Sequence, residues 1–283
     1  MKIIKPYAEI LKPTGYTIDD IYKFIELVGR TCYKSQDKIT KDSAINFVNR
    51  LIKSGHWAML EHGTVYLTIP NCSIAKASYY TNNKYSLVYG DKNDTFYITT
   101  NYRVLVENNL LKDLVYLSEP TKFHHKRTTV KFVCDRGVSH EFVRHRVFSF
   151  AQESTRYCNY SKDKFGNELT FIIPNWFNKY INADYSNFNT SDWNIGLDID
   201  DAETNWLYAM MYSEKAYISS INHGMKPQQA RAVLPNSLKT ELIMTGFDND
   251  WKHFFELRSI GVTGAPHPQA KELADMVKDK FNK

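Results

Sequence analysis

Residues Arg144 to Tyr157 read RHRVFSFAQESTRY. Three arginines, a histidine, two serines and a glutamine share these fourteen residues with Val147, Phe148 and Phe150. Guanidinium forks bind phosphate through paired hydrogen bonds and stay charged at any relevant pH. A serine hydroxyl and a glutamine amide add uncharged donors and acceptors suited to a base edge. Together they form a kit for holding a phosphorylated ring. The same stretch also reads as a helix end whose arginines offset the helix dipole, followed by a Ser/Thr turn. Residue types alone leave both readings open.

Other chemistry-bearing side chains are dispersed. SGHWAMLEHG (54–63) carries His56, Glu61 and His62, but histidines six apart match no metal-ligand spacing, and no metal site is expected. QARAVLPNSL (229–238) places Arg231 on a short helix, ordinarily a surface position, and WKHFFELRS (251–259) carries His253 and Arg258. Ser154 has neither an adjacent base nor a G-x-S-x-G elbow, so it is expected to donate a hydrogen bond rather than attack. Cys32, Cys72, Cys134 and Cys158 form no C-x-x-C pair, which argues against a zinc knot or a disulfide framework. Cys158 adjoins the motif without a visible partner base, and a thiol is nucleophilic only when its pKa is lowered.

Positioning these residues requires a fold. TIDDIYKFIELVGRTC (17–32) has Ile21, Phe24, Ile25 and Val28 at helical spacing. A second helix is expected behind Asp42 or Ser43, with Ile45, Val48, Leu51 and Ile52 as its stripe and Gly55 at its end. The N-terminus to Leu11, TVYLTIP (64–70), RTTVKFVCD (127–135), TFIIP (170–174) and a stretch near 238–245 read as strands. Helices are expected over 102–117, from a Ser139 cap through the R-H-R triplet, over 200–222, at PQQARAVL, over 248–258 and over 268–280. The long helix should pack through Trp206, Leu207, Met210, Met211 and Tyr217. The polar stretch within 72–125, its first part (72–101) an excursion from the main body, and another at 178–198 read as insertions. The expected fold class is α+β, a central mostly antiparallel sheet flanked by helices, within a single domain spanning 1–283.

The composition of the 283 residues is ordinary for a globular protein, with 43% hydrophobic, 24% charged and 14% aromatic residues. The net charge of +5 suits an anionic small molecule or nucleic acid. Seven lysines and arginines between Lys122 and Arg146 face only Asp135 and Glu141. No stretch approaches the ~18 apolar residues of a membrane span, and the start lacks a signal-peptide core. A reduced, cytoplasmic protein is expected.

The order R-H-R, seven residues, S, then arginine two further on resembles the signature of flavin-dependent thymidylate synthases, matched by Arg144, His145, Arg146, Ser154 and Arg156. His56, Glu61 and His62 are similar to that family's segment before its first long strand. Arg231 matches its A-R-x-x-L-P stretch, and Phe254 or Phe255, Leu257 and Arg258 match F-x-x-L-R. The resemblance runs from about His56 to Gln269 and is absent from the two polar insertions. It implies methylation of dUMP to dTMP with methylenetetrahydrofolate as one-carbon donor, NADPH reducing FAD, and a homotetramer with shared sites. It implies Arg258 as the substrate-activating residue, and Glu141, Arg144, Gln152, Glu153, Ser154, Thr155, Arg156 and Arg231 around dUMP. His56, Glu61, Arg144, His145, Arg146, Gln152, Asn249 and His253 would lie along the flavin. The glutamine at 152, where some relatives carry glutamate, leaves the local substrate shape open. A module gripping single-stranded nucleic acid would explain the 122–146 charge but not Arg231 and Arg258, so nucleic acid is disfavoured. A cysteine-dependent methyltransferase would need Cys158. If the resemblance holds, guanidinium groups remote in the chain gather at one cleft.

Overall fold

The computed structural model describes residues 1–177 and 201–281; the expected insertion at 178–198 lies outside the described residues. In chain order it contains β1 (Lys2–Ile4), β2 (Tyr7–Leu11), α1 (Ile18–Thr31), α2 (Ser43–Lys53), β3 (Thr64–Ile69), α3 (Ile74–Thr81), β4 (Leu87–Gly90), β5 (Phe96–Asn101) and α4 (Tyr102–Glu107). There follow β6 (Arg127–Asp135), α5 (Arg136–Phe142), β7 (Ser149–Gln152), β8 (Thr170–Ile172), α6 (Ala202–Asn222), α7 (Pro227–Ala230), β9 (Lys239–Phe247), α8 (Asp248–Phe255) and α9 (Pro268–Lys278).

The expected α+β class holds, but the strands are divided among three sheets. An antiparallel sheet of order β2-β6-β9-β7 is the largest, β3-β5-β4 forms a second antiparallel sheet, and β1 pairs with β8 in parallel. The N-terminal strand expected to run to Leu11 therefore breaks between Ile4 and Tyr7, at Lys5-Pro6. The pieces join different sheets, as proline's missing N–H favours at a strand boundary. β6 and β9 pair along their whole length, from Arg127 opposite Phe247 to Asp135 opposite Lys239.

Local rules explain most elements. Thr17 caps α1 through a capping box with Asp20, and Ile21, Phe24, Ile25 and Val28 are buried as their spacing predicts. On α2 the stripe is rotated: Ala44, Phe47 and Val48 are buried, whereas Ile45 is 53% exposed, because Phe47 takes the place against α1. The 72–101 stretch is folded rather than an excursion. Ser73 caps α3, and β5 pairs with both β3 and β4. Expected helix 102–117 divides into α4 and a 3-10 segment at Leu111–Tyr116. The helix placed behind Ser139 begins earlier, capped by Asp135, whose carboxylate accepts the Val138 N–H, and ends before the R-H-R triplet. Helix α6 does bury Leu207, Met210, Met211 and Tyr217 against β8.

The core beside the large sheet is aromatic. Phe132, Phe142, Phe148, Trp251 and Phe254 meet edge-on or tilted, with ring centroids 4.6–6.3 Å apart. Trp251 is fully buried and donates Nε1–H to the Thr128 carbonyl at 3.1 Å. Trp251→Ala is expected to cost about 3–5 kcal/mol, read as a lowered urea midpoint with unchanged slope.

Candidate active site

Arg258 is the centre of the first cluster. It lies on a π-helical turn, Glu256–Ile260, that continues α8 and is closed by Gly261 at φ +81°. Single π turns occur preferentially at functional sites, because the extra residue re-aims side chains. Arg258 Nη1 donates to Glu141 Oε2 at 2.6 Å, Nη2 to the Glu141 carbonyl at 3.1 Å, and Nε to His145 Nε2 at 3.1 Å. Three of its five N–H groups are thereby held, and two remain for a ligand. Burial, and then the Arg258 charge, push His145 down to about 4, so its Nε2 is a neutral acceptor at pH 7.

A second cluster lies beyond β7. Gln152, the last residue of that strand, donates Nε2–H to Ser139 Oγ at 2.8 Å and to Thr240 Oγ1 at 3.3 Å. The Ser154 N–H bonds the Cys32 carbonyl, and the Arg156 N–H bonds Ser154 Oγ. Arg231 Nη1 donates to Thr155 Oγ1 at 3.4 Å, and Arg156 Nε donates to Gln228 Oε1 at 3.3 Å. Arg231 is therefore joined to the 154–156 loop within one chain. Gln152 connects this loop to α5 through Ser139, and α5 ends beside Glu141.

Beneath the loop sits a buried charge network. Lys239 Nζ bridges Glu153 and Glu241 at 2.8 and 2.9 Å, Lys34 pairs with Glu241, and the Tyr160 hydroxyl donates to Glu153 at 3.0 Å. Burial alone would raise the Glu241 pKa, but Lys239 and then Lys34 hold it at about 2. Glu153 is thus occupied in fixing the loop from below.

The structure does not bring every expected residue together. Arg144 and Arg146 are exposed, and no side-chain hydrogen bond or ion pair holds them among the described residues. Free guanidinium groups in that position fit an anionic group such as a flavin's pyrophosphate. His56 and Asn249 are also exposed, and His253 faces Glu256 at 3.3 Å. Glu61 is ion-paired with Arg103 at 2.6 Å, not joined to the Arg258 cluster. A cavity of about 720 Å³ is lined by none of these residues. Sequence reasoning read Ser139 only as a helix cap, and it missed Thr240, Gln228 and the Lys34–Lys239–Glu241 network. Their only signal is polarity on otherwise apolar strands and caps, which is shared by many structural residues.

The family model described as thymidylate synthase complementing protein matches residues 16–84 and 75–283. The chain belongs to that family. Among curated members, a flavin-dependent thymidylate synthase of Pyrococcus furiosus is 32% identical over 155 residues, 54% of this chain and 54% of its own length. One of Mycobacterium bovis is 24% identical over 241 residues, 83% of this chain and 66% of its own. The match to the Pyrococcus relative thus spans about half that protein's length. A solved UMP/dUMP methylase of Streptomyces cacaoi bound with 5-Br dUMP aligns with 99% of this chain and 92% of its own. The TM-score of that alignment is 0.46 at 14% identity. The family model's second match takes in both clusters, so Arg258, His145 and Arg231 all fall within thymidylate synthase complementing protein sequence.

His145 gives the cluster a pH signature. Its folded pKa, about 4, lies below the ordinary 6.5. The unfolded chain therefore takes up a proton that native His145 refuses, so stability is complete above pH 6.5 and lost as pH falls toward 4. His62, pushed down to about 3 by burial, acts in the same direction. Urea unfolding at pH 7, 5.5 and 4 should show this loss, and His145→Gln should make it shallower by up to about 3 kcal/mol.

Proposed function

We propose that this chain is a flavin-dependent thymidylate synthase acting as a single domain. In this reading it methylates dUMP at C5, with methylenetetrahydrofolate as one-carbon donor and NADPH as reductant, in a homotetramer with shared sites. The observation that carries the reading is the Arg258 clamp. A π turn holds a guanidinium against Glu141 and His145, 117 and 113 residues upstream, and His145 is the middle of the R-H-R triplet. FAD, when bound, supplies the hydride that completes the methyl group. The exposed side chains of His56, Arg144, Arg146, Asn249 and His253 are the ones placed to hold it, with Glu61 and His145 supporting them.

In this reading Arg156 and Arg231 hold the nucleotide phosphate, and Ser154, Thr155 and Gln152 hydrogen-bond the sugar and base. The two N–H groups left on Arg258 stabilise negative charge on the uracil as C5 becomes nucleophilic. Preorganisation matters because the donor is already fixed before charge develops. Glu141 accepts from Arg258 and keeps it oriented. His145, neutral, accepts without adding a competing charge.

Cys158 is 1% exposed, and burial pushes its thiol up to about 12, against a role as nucleophile. This disfavours the cysteine-dependent route to the same product. Purified protein is expected to be yellow, to bleach anaerobically with NADPH and to release FAD on denaturation; colourless protein that cannot be reconstituted with FAD would reject the proposal. Arg258→Ala should lower turnover by about 10²–10³ while flavin absorbance persists. Cys158→Ala should keep most of the activity, and its loss in a folded, flavin-bound variant would favour the cysteine route.

A further inference from the structure

The cavity of about 720 Å³ lies between the large sheet and the β3-β5-β4 sheet, against the segment that leads from β2 into α1. None of its lining residues belongs to the clusters described above. Its size falls within the range of small-molecule sites, roughly 300–1,000 Å³.

Arg127, the first residue of β6, is on its wall. Nη1 donates to Thr64 Oγ1 and Nη2 to the Glu61 carbonyl, both at 3.1 Å, which uses two of five N–H groups. Among the described residues no carboxylate lies within 4.0 Å of this guanidinium. Burial pushes its pKa down to about 10, an effect opposed by Tyr66 and the more distant charges of Glu61 and Asp250, and the Phe247 ring lies 5.5 Å from the guanidinium carbon. Arg127 is half-buried, and guanidinium groups withdrawn from water are ordinarily paired, since an uncompensated charge in a low-dielectric environment is costly. The carboxylate on the wall, Asp248, is engaged elsewhere, accepting a hydrogen bond from Thr128 Oγ1 at 2.7 Å.

Apart from Asp248, whose charge the Thr128 hydroxyl leaves in place, the other charges on the lining reinforce Arg127. Lys12, Lys122 and Lys126 stand on it with no ion-pair partner among the described residues, and Lys122 rests over the Phe123 ring at 5.0 Å. Cations of one sign around a low-dielectric recess focus a positive potential into it. The lining also offers flat surface: the Tyr16 and Tyr66 rings meet edge to face, with centroids 5.8 Å apart. A solvated basic face would need no recess.

We propose that this cavity is a second binding site, taking a phosphate-bearing heterocycle of mononucleotide size, with Arg127 holding the phosphate, the lysines drawing it in and the tyrosines flanking the ring. The cavity shares no residue with the Arg258 cluster, but Arg127 bonds the carbonyl of Glu61, which the proposed function places by the flavin, so the titration is run with and without FAD and dUMP.

The test is calorimetric titration of the full-length protein with AMP, in the absence and in the presence of saturating FAD and dUMP. One AMP is expected to bind per chain under both conditions. Arg127→Met should weaken it roughly tenfold or more, as the loss of a charge-assisted phosphate contact does. Because Arg127 also bonds Thr64 and Glu61, that variant is checked by circular dichroism. The Lys122→Ala/Lys126→Ala pair changes only exposed side chains and should weaken AMP about threefold or more, with stronger salt sensitivity in the wild type. Absence of AMP binding, or AMP affinity unchanged in both variants, would overturn the site. AMP binding abolished by FAD and dUMP would assign it to the active site instead. Inorganic pyrophosphate binding as tightly as AMP would remove the ring from the proposal.

Discussion

The pairing of β6 with β9 is the constraint on which the site depends. The strands are antiparallel, so α5 leaves the Asp135 end of β6 and α8 leaves the opposite end, after Phe247 of β9. Both helices then run back over the same face of the sheet. They meet over Phe132, whose ring contacts Phe142 of α5 at 4.9 Å and Phe254 of α8 at 5.9 Å, while Phe142 and Phe254 contact each other at 5.1 Å. Glu141 precedes one of these rings and Arg258 follows the other by a turn. Close packing of three aromatic side chains therefore sets the approach of two groups that the chain separates by more than a hundred residues.

The second arginine cluster rests on a different physical basis. The loop after β7 is anchored by main-chain bonds, including Glu153 N–H to the Glu241 carbonyl and Ser154 N–H to the Cys32 carbonyl. Below it, Lys34, Lys131 and Lys239 surround Glu153 and Glu241. Removing one member of such a network leaves its partner's charge buried, which costs more than the intact network contributes. Rigidity here comes from paired charges, although Glu241 Oε2 accepts no hydrogen bond and has Lys131 only at 3.7 Å, whereas at Arg258 it comes from packing. The two are coupled through Gln152, which bonds Ser139 of α5 and Thr240 of β9.

The inserted region illustrates how composition misleads. Residues 72–101 are polar and rich in tyrosine, a composition that reads as an irregular excursion, yet β5 lies between β3 and β4 and buries Ile98, with Tyr80 of α3 packed beneath. Tyrosine provides apolar area while keeping a hydroxyl for a partner; the Tyr80 hydroxyl donates a hydrogen bond to Asp113 Oδ2 at 2.8 Å. A strand built from Phe96, Tyr97 and threonines has little hydrophobic alternation to detect, and short β7 has less.

The sequence by itself determined the elements whose information is local: α1 with its Thr17 cap, β6 with its alternating Val130, Phe132 and Cys134, and the buried face of α6. It also carried the motif residues around Arg144, Ser154, Arg231 and Arg258, because residues that match a family motif are legible by type and spacing. Tertiary structure alone decided the rest. Asp135 rather than Ser139 caps α5, Phe47 rather than Ile45 faces inward on α2, and Arg258 rather than Arg144 or Arg146 bonds Glu141 and His145. In each case several residues met the local rule equally well, and the choice fell to whichever satisfied contacts with chain distant in sequence. Such contacts depend on which strand ends lie side by side, a property that no short window of residues contains.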